Sequence, residues 1–357
     1  MFARLRLSRS RRVGPATFRR LIAEHGDGVR ALAALPGIAA DAGDDRYRPA
    51  EEAEIRREIA AARKAGAKLL TLGAPGYPRR LAEVTDAPPV LWAQGNTAML
   101  NKRCVAVVGT RNASSLALRM TRALGRDLAD AGIIVVSGLA KGVDTVAHAS
   151  ALEGGTIAVH AGGLDRIYPA ENAELAKQIA ERGCALSERP FGLSPQARDF
   201  PRRNRIVSGL SLAVVVVEAA ARSGSMITAR DALDQGREVM AVPGHPMDGR
   251  ASGCNNLLRD GATLVRNVDD ILDVLSEDPH PEHVAQMPQD TPPPVATDDL
   301  EARILTLLSP TPVGEDQLLR DLSAAGAIEA QTLAAHLSEM ELAGAVGRRP
   351  GGGLVRL

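Results

Sequence analysis

The sequence predicts an α/β fold: an extended Rossmann-like, doubly wound and mainly parallel sheet, with a small N-terminal helical domain and a C-terminal winged-helix domain. Short, nearly continuous apolar runs alternate with amphipathic stretches between residues 102 and 274. Strands that are apolar on both faces are typical of a parallel sheet covered by helices on each side. The predicted strands occupy residues 105–108, 133–136, 156–160, 184–186, 212–217, 238–242 and 263–265.

The N-terminal region, residues 1–75, is rich in Ala, Arg, Leu and Glu, and its apolar residues recur at helical spacing, as in Phe18, Leu21 and Ile22. We predict a small helical domain of helix-hairpin-helix or SAM-like type. Residues 13–15, Val-Gly-Pro, precede an amphipathic stretch and resemble a helix-hairpin-helix turn, whose exposed amides can hold a phosphate. A simple helix start with proline in the first turn explains the same residues at least as well.

The α/β domain is predicted over residues 76–275. The linker that follows, residues 276–298, is rich in proline and acidic residues and contains no Lys or Arg, a composition that stays extended and does not pack. Residues 299–357 have the winged-helix order of three helical stretches, a glycine-rich turn and a strand. The third stretch, residues 329–343, carries glutamates but no Lys or Arg. DNA phosphates would repel such a helix, so we expect this domain to contact protein.

Composition limits the possible ligands and the cellular compartment of the protein. The 43 Lys and Arg residues balance 43 Asp and Glu residues, so affinity for nucleic acid must come from a local patch. Cys104, Cys184 and Cys254 lack any C-x-x-C spacing, which favours reduced thiols in the cytoplasm over disulfides or a zinc site. The arginine-rich start is not expected to be a secretory signal, with an organellar transit peptide as an alternative. No apolar run approaches the ~20 residues that cross a bilayer, so we expect no membrane span.

One segment is unusually basic. Residues 200–211 read F-P-R-R-N-R-I-V-S-G-L-S and directly precede a predicted strand. No carboxylate adjoins their arginines, and planar guanidinium groups make a natural clamp for phosphate. Pairing with carboxylates elsewhere in the fold has equal weight as an alternative. We predict a loop, anchored in the core by Phe200, in which replacing Arg203 by Ala would leave the fold intact. The polar residues of this predicted clamp are Arg202, Arg203, Asn204 and Arg205.

Four turns, including residues 161–169, follow predicted strands at the carboxyl edge of the sheet, where doubly wound folds bind ligands. Each turn contains features that suit anion binding: flexible glycines, free backbone amides or a basic side chain. Helix capping explains the serines, Thr228 and Asp144 without any ligand, and we interpret His148 as helix packing. The residues of these turns that we predict to hold an anion are Gly109, Thr110, Arg111, Ser137, Gly138, Lys141, Gly224 and Ser225.

Nucleotide-cofactor fingerprints are missing from the sequence. There is neither a G-x-G-x-x-G followed by an acidic residue nor a G-x-x-x-x-G-K-[ST], so NAD and P-loop sites are not predicted. We expect no cofactor and no metal.

The chain carries, in order, G-T-R at 109–111, S-G-x-A-x-G-x-D at 137–144, Y-P at 168–169, F-P-x-R-N-R-I at 200–206, G-S-x-I-T-A at 224–229, P-G at 243–244 and G-C-N at 253–255. This combination resembles the DNA processing protein A family, DprA, also called Smf, over essentially the whole chain. The resemblance implies a homodimer that binds and protects single-stranded DNA and loads the RecA recombinase in natural transformation. The residues that would hold the DNA backbone across the sheet edge are Arg111, Lys141, Arg203 and Arg205. Because aromatic residues make up only 2% of the chain, phosphate contacts should lead binding.

The main alternative is a nucleoside-monophosphate phosphoribohydrolase on a similar sheet. Its fingerprint, Pro-Gly-Gly-x-Gly-Thr-x-x-Glu, is approached only at residues 161–165, which lack the proline, the third glycine and the downstream glutamate. Glu188 and Glu218 follow strands and could serve in acid-base chemistry or pair with the arginines. A scaffold that binds no oligonucleotide is a third hypothesis. We rank binding above catalysis and predict that the protein is not an enzyme.

Overall fold

The structure, a computed structural model, describes residues 1–276, 297–308, 314–323, 333–334, 336–337, 340–341, 345–348 and 354–356. Its two compact units, Met1–Asp278 and Pro279–Leu357, are described separately. Most of the predicted linker, residues 277–296, lies outside the described residues.

The first unit begins with helices. Phe18 and Leu21 pack in an apolar cluster with Leu7 and Leu35. A second cluster joins Leu5 of the first helix to Trp92 of the sheet, so these helices share a core with the sheet. The helices are α1 (Phe2–Arg9), α2 (Pro15–His25), α3 (Gly28–Asp41) and α4 (Glu52–Lys64).

Within the described residues of this unit, nine strands form one sheet in the order β1-β2-β6-β5-β4-β3-β7-β8-β9. Strands β3 to β9 are parallel and correspond to the predicted apolar runs; β1 and β2, which were not predicted, pair antiparallel. The predicted fold class is confirmed. The strands are β1 (Lys68–Thr71), β2 (Val90–Gly95), β3 (Cys104–Val108), β4 (Ile134–Ser137), β5 (Thr156–Val159), β6 (Cys184–Ser187), β7 (Ala213–Val216), β8 (Glu238–Ala241) and β9 (Thr263–Leu264).

Helices cover both faces of the sheet. Val105 and Val107 of β3 belong to one apolar cluster, and Ala106 and Val108 belong to another, which explains why the strands read as continuous apolar runs. After β3 the chain adds β4 to β6 on one side and then crosses to β7, so the topological switch point lies between β3 and β7. The remaining helices are α5 (Arg79–Ala82), α6 (Ser115–Asp130), α7 (Val143–Ala151), α8 (Ala173–Arg182), α9 (Asp199–Leu210), α10 (Gly224–Asp234), α11 (Ser252–Arg259) and α12 (Val268–Ser276).

The basic segment is helical, so its prediction as a loop is wrong. All three of its arginines lie within α9. Ile206, Val207 and Leu210 of this helix are buried against the sheet, and Arg203 precedes them at helical spacing on the same buried face. That spacing was visible in the sequence as an i, i+3, i+4, i+7 pattern once an arginine is allowed on an apolar face.

In the second unit, α13 (Thr297–Leu307), α14 (Glu315–Ser323) and β11 (Leu354–Arg356) match predicted elements of a winged helix. Strand β10 (Val346–Arg348), which pairs antiparallel with β11, was not predicted. Ile304, Leu318 and Leu354 are buried in a common cluster. Of the predicted third helix, only residues 333–334, 336–337 and 340–341 are described, and the predicted turn of 351–353 lies outside the description. Among the described residues of the chain, no helix is long and apolar enough to cross a membrane.

Candidate nucleic-acid interface

The loops after β3, β4 and β7 surround a pocket of about 460 Å³ at the carboxyl end of the sheet, which we call the edge pocket. These strands are neighbours at the topological switch point, the place where open α/β sheets bind ligands. Helix α9 forms the facing wall. Of the predicted site residues, Gly109, Thr110, Arg111, Gly138, Arg203, Asn204, Gly224 and Ser225 line the pocket, whereas Ser137, Lys141, Arg202 and Arg205 do not.

The first turn of α10 places the backbone amides of Gly224 and Ser225 at the edge pocket. Its N-cap, Ser223, makes no side-chain hydrogen bond to the helix, and the amides of Gly224 and Ser225 have no intrahelical acceptor because they lie in the first turn. The hydroxyl of Ser225 donates to the carbonyl of Gly109 at 2.7 Å and so ties the β7 loop to the β3 loop. This corner combines free amides with the positive end of a helix dipole.

Gly142 allows the β3 and β4 loops to meet. Its φ is +78°, and a Cβ atom there would lie 2.7 Å from the carbonyl oxygen of Arg111. Asp144 was interpreted as a helix cap, which is wrong, since Gly142 is the N-cap of α7. The Asp144 carboxylate instead accepts hydrogen bonds from the amides of Gly138 (3.1 Å) and Ala140 (3.3 Å). These two amides are therefore used within the protein and do not face a ligand.

Arg203 is a buried residue in the wall of the edge pocket, with only 6% of its surface exposed. Its guanidinium donates to the carbonyls of Gly138 and, at 2.8 Å, of Val159. Burial lowers the pKa of Arg203, and the nearby charge of Asp144 opposes that shift. The expectation that Arg203 is a loop residue is wrong, and its side chain joins the ends of two strands.

The other basic side chains have different environments. Arg205 is paired with Glu188 at 2.7 Å and with Asp86 at 3.4 Å, so the alternative of pairing with distant carboxylates holds for it. Lys141 is half-exposed and pairs with Glu171 at 2.6 Å.

Arg202 is exposed and has no ion pair among the described residues. Ser137 is fully buried and its hydroxyl donates to Val107 at 2.7 Å, which corrects its prediction as an anion contact.

An aromatic cluster lies at the rim of the pocket. Phe200 was expected in the core, but it is only partly buried and lines the edge pocket. The guanidinium carbon of Arg111 lies 5.3 Å from its ring centroid, and the ring of Tyr168 packs edge-on at 5.5 Å. Tyr168 is 53% exposed. In the sequence, Tyr168 stands out only as part of the Y-P motif, and it was not predicted as a site residue.

The side chains considered as catalytic groups have hydrogen-bond or ion-pair partners within the fold. Glu218 is buried and accepts the amide of Ser114 at 2.9 Å, while Glu188 pairs with Arg205 as described above. His148 is fully buried, with its Nδ1 atom 2.7 Å from the Thr156 hydroxyl, which confirms its prediction as a packing residue. Burial lowers the pKa of His148 to about 3. Within the described ranges, no cluster of His, Cys, Asp and Glu could hold a metal ion.

The fold and the site define a doubly wound α/β protein with an anion-ready crevice at its switch point. The family model "DNA recombination-mediator protein A" matches residues 68–276, "DprA-like N-terminal HHH domain" matches residues 1–61, and "DprA winged helix domain" matches residues 288–352. The chain belongs to the DNA processing protein A (DprA/Smf) family. Its role is therefore in DNA processing and recombination mediation.

Named relatives agree with this membership. The chain is 41% identical to the DNA processing protein DprA of Bacillus subtilis over 63% of this chain and 76% of that relative. It is 40% identical to protein Smf of Escherichia coli over 77% of this chain and 74% of that relative.

Two solved structures are similar to this one. The structure of DNA processing protein A from Streptococcus pneumoniae has a TM-score of 0.65 and 34% identity, covering 76% of this chain and 96% of that one. A structure concerned with the single-stranded DNA binding mode of DNA processing protein A from Helicobacter pylori has a TM-score of 0.55 and 33% identity, covering 60% of this chain and 98% of that one.

Proposed function

We propose that this protein binds single-stranded DNA in the edge pocket, through phosphate contacts made by Arg111 and the amides of Gly224 and Ser225. The observation that carries the proposal is the exposed guanidinium of Arg111, which has no carboxylate partner among the described residues and lines the same pocket as the amides at the start of α10. A fixed cation and free amides around one cavity are suited to a phosphodiester group.

The rim favours a single strand over a duplex. The rings of Tyr168 and Phe200 stand beside Arg111, and an unpaired base can stack on such a surface without regard to its identity. A paired base has no free face to offer. Two aromatic side chains make only a small platform, so we expect phosphate contacts to contribute most of the affinity.

Membership of the DprA/Smf family supports further proposals about the role of this protein. We infer that the protein protects incoming DNA and loads the RecA recombinase in natural transformation, and that it acts as a homodimer in the cytoplasm. We propose no catalytic role for the edge pocket, because the two strand-end carboxylates, Glu188 and Glu218, are held by partners within the fold.

The test is a fluorescence anisotropy titration of the full chain with a single-stranded oligonucleotide, the matching duplex and mononucleotides, each over a salt series. The logarithm of affinity should fall by about 0.7 per phosphate contact for each tenfold rise in salt. Arg111→Ala should lower that slope by about 0.7 and weaken binding about fivefold at ~0.1 M salt.

The matched control is Arg119→Ala, which removes an exposed arginine of α6 outside the pocket and should change neither quantity. Unchanged binding in Arg111→Ala, or tighter binding of mononucleotides than of oligonucleotides, would overturn the proposal.

A further inference from the structure

A second cavity, of about 710 Å³, lies between the α1–α2 turn and helix α9. We call it the hairpin pocket. Arg12, Val13 and Gly14 form its wall on the N-terminal side, and Pro201 and Arg202 form part of its wall on the α9 side. It is distinct from the edge pocket, with which it shares no lining residue.

Helix α9 separates the two pockets. Phe200, Arg203 and Asn204 line the edge pocket, whereas Pro201 and Arg202 line the hairpin pocket. This division follows from the 3.6-residue period of the helix, which turns neighbouring positions to different sides.

A shallow groove connects the two pockets. A third cavity, of about 510 Å³, is lined by Arg111 and Gly224, which it shares with the edge pocket, and by Pro201 and Ile227, which it shares with the hairpin pocket. A chain that leaves the edge pocket past Phe200 can therefore enter the hairpin pocket without leaving the protein surface.

The hairpin pocket holds more positive than negative side chains. Five arginines line it against three carboxylates. Arg202 is exposed and unpaired within the described residues. Arg12 is exposed and 3.4 Å from Asp44, a carboxylate that already pairs with Arg11 at 2.6 Å.

Arg189, deeper in the hairpin pocket, has an unused donor. Its Nε atom is buried and has no acceptor among the residues that the structure describes, while its guanidinium forms a 3.5 Å ion pair with Asp199. Burial and the nearby charges of Arg9 and Arg202 lower the pKa of Arg189. A phosphate would relieve this concentration of positive charge.

We propose that the hairpin pocket binds phosphodiester groups of the same DNA strand that occupies the edge pocket, with Arg12 and Arg202 as the exposed contacts. The strand passes over α9 along the connecting groove and reaches the α1–α2 turn. This inference rests on the proposed function of the edge pocket, which it extends by a second contact region on the N-terminal helices.

The experiment compares oligothymidylates of about 4 and about 16 nucleotides, bound to the full chain at ~0.1 M salt and over a salt series. The double variant Arg12→Gln, Arg202→Gln removes two exposed charges, and Asp44 keeps Arg11 as its partner. Each lost contact should reduce affinity by 0.7 log units at ~0.1 M salt, a factor of about five, and together about 25-fold.

The loss should appear only with the long oligonucleotide, together with a salt slope smaller by about 1.4. The control Arg20→Gln, Arg119→Gln makes the same charge change at exposed positions outside both pockets and should bind both lengths as the wild type does.

Three results would overturn the inference: an unchanged affinity for the long oligonucleotide, an equal loss for both lengths, or two short oligonucleotides bound per chain with one lost in the variant. The last result would assign the hairpin pocket to a second strand. If the wild type bound neither length, the proposed function itself would fail, whereas Arg111→Ala should weaken both lengths whether or not the hairpin pocket takes part.

Discussion

Replacing Arg203 by Ala should destabilise the protein, whereas the same change at its neighbour Arg202 should not. The Arg203 guanidinium donates to the buried carbonyls of Gly138 and Val159, and each would be left unpaired at a cost of ~1–3 kcal/mol. The buried Asp144 carboxylate would also lose its nearby positive charge. Two unpaired carbonyls at ~1–3 kcal/mol each set the scale of the effect, so we expect a loss of about 4 kcal/mol in the free energy of unfolding.

Thermal and urea unfolding measure this loss. For a unit of this size, ~2–4 °C of melting temperature corresponds to each kcal/mol, so Arg203→Ala should melt roughly 10 °C below the wild type. Arg202→Ala removes an exposed side chain of the same helix and should stay within ~0.5 kcal/mol of the wild type. If Arg203→Ala had the melting temperature of the wild type, or if both variants lost the same free energy of unfolding, Arg203 would not be the structural link that its contacts indicate.

The deficit of Arg203→Ala should also depend on pH. Burial raises the pKa of Asp144, and Arg203 lowers it, so the variant raises the folded-state pKa further above the unfolded value. A carboxyl with a raised folded-state pKa costs stability above that pKa, and the cost disappears as pH falls through it. The deficit should therefore shrink as pH falls through the raised pKa of Asp144 in the variant. A constant deficit would mean that Asp144 is not involved.

Two further predictions concern buried and constrained residues. Burial lowers the pKa of His148 to about 3 and of His160 to about 4, so stability should fall as pH drops from about 6.5 toward 4, by up to ~1.4 kcal/mol per pH unit for each histidine. His148→Gln should make that slope shallower in urea titrations, and an equal slope would contradict the burial argument. Gly142→Ala should weaken oligonucleotide binding more than about tenfold, because a Cβ there displaces the carbonyl of Arg111 and each 1.4 kcal/mol of lost binding is tenfold. Gly132→Ala, also at positive φ (+74°) but in open space, should bind normally, and equal binding by both variants would refute the prediction.

The parallel sheet was predictable because its strands are buried on both faces, which produces short apolar runs that alternate with amphipathic helical stretches. Strands β1 and β2 were missed for different reasons. Strand β1 is short and begins with the exposed Lys68. Strand β2 contains a buried apolar run at residues 90–93, but it precedes the region in which apolar runs alternate with amphipathic stretches, and it pairs antiparallel. Helix α9 was missed because its buried face carries an arginine, which a search for apolar periodicity counts as a break.

Several residues of the sequence motifs meet in the edge pocket, but the motifs did not distinguish the roles of these residues. Gly109, Arg111 and Gly224 come from turns after different strands, and their meeting follows from parallel topology alone. The distribution of carboxylates decides which arginine remains available, and that distribution is not visible locally. Glu188 lies 17 positions from Arg205 in the chain, and Asp144 reaches Arg203 only through the packing of α7 against the sheet.

The three arginines of α9 therefore differ because of the helical face that each occupies. Arg203 faces the sheet, where Asp144 offsets its charge, so it adds little net attraction for phosphate while fixing the β4 and β5 ends in place. Arg205 is balanced by Asp86 and Glu188. Of these three arginines, Arg202 is the exposed one without an ion pair within the described residues. Arg111, which lines the edge pocket that α9 also lines, likewise has no carboxylate partner there. Because Arg203 and Arg205 are balanced within the fold, they add little net attraction for a phosphate. The contacts at Arg111 and Arg202, rather than the most buried arginine, should therefore set affinity.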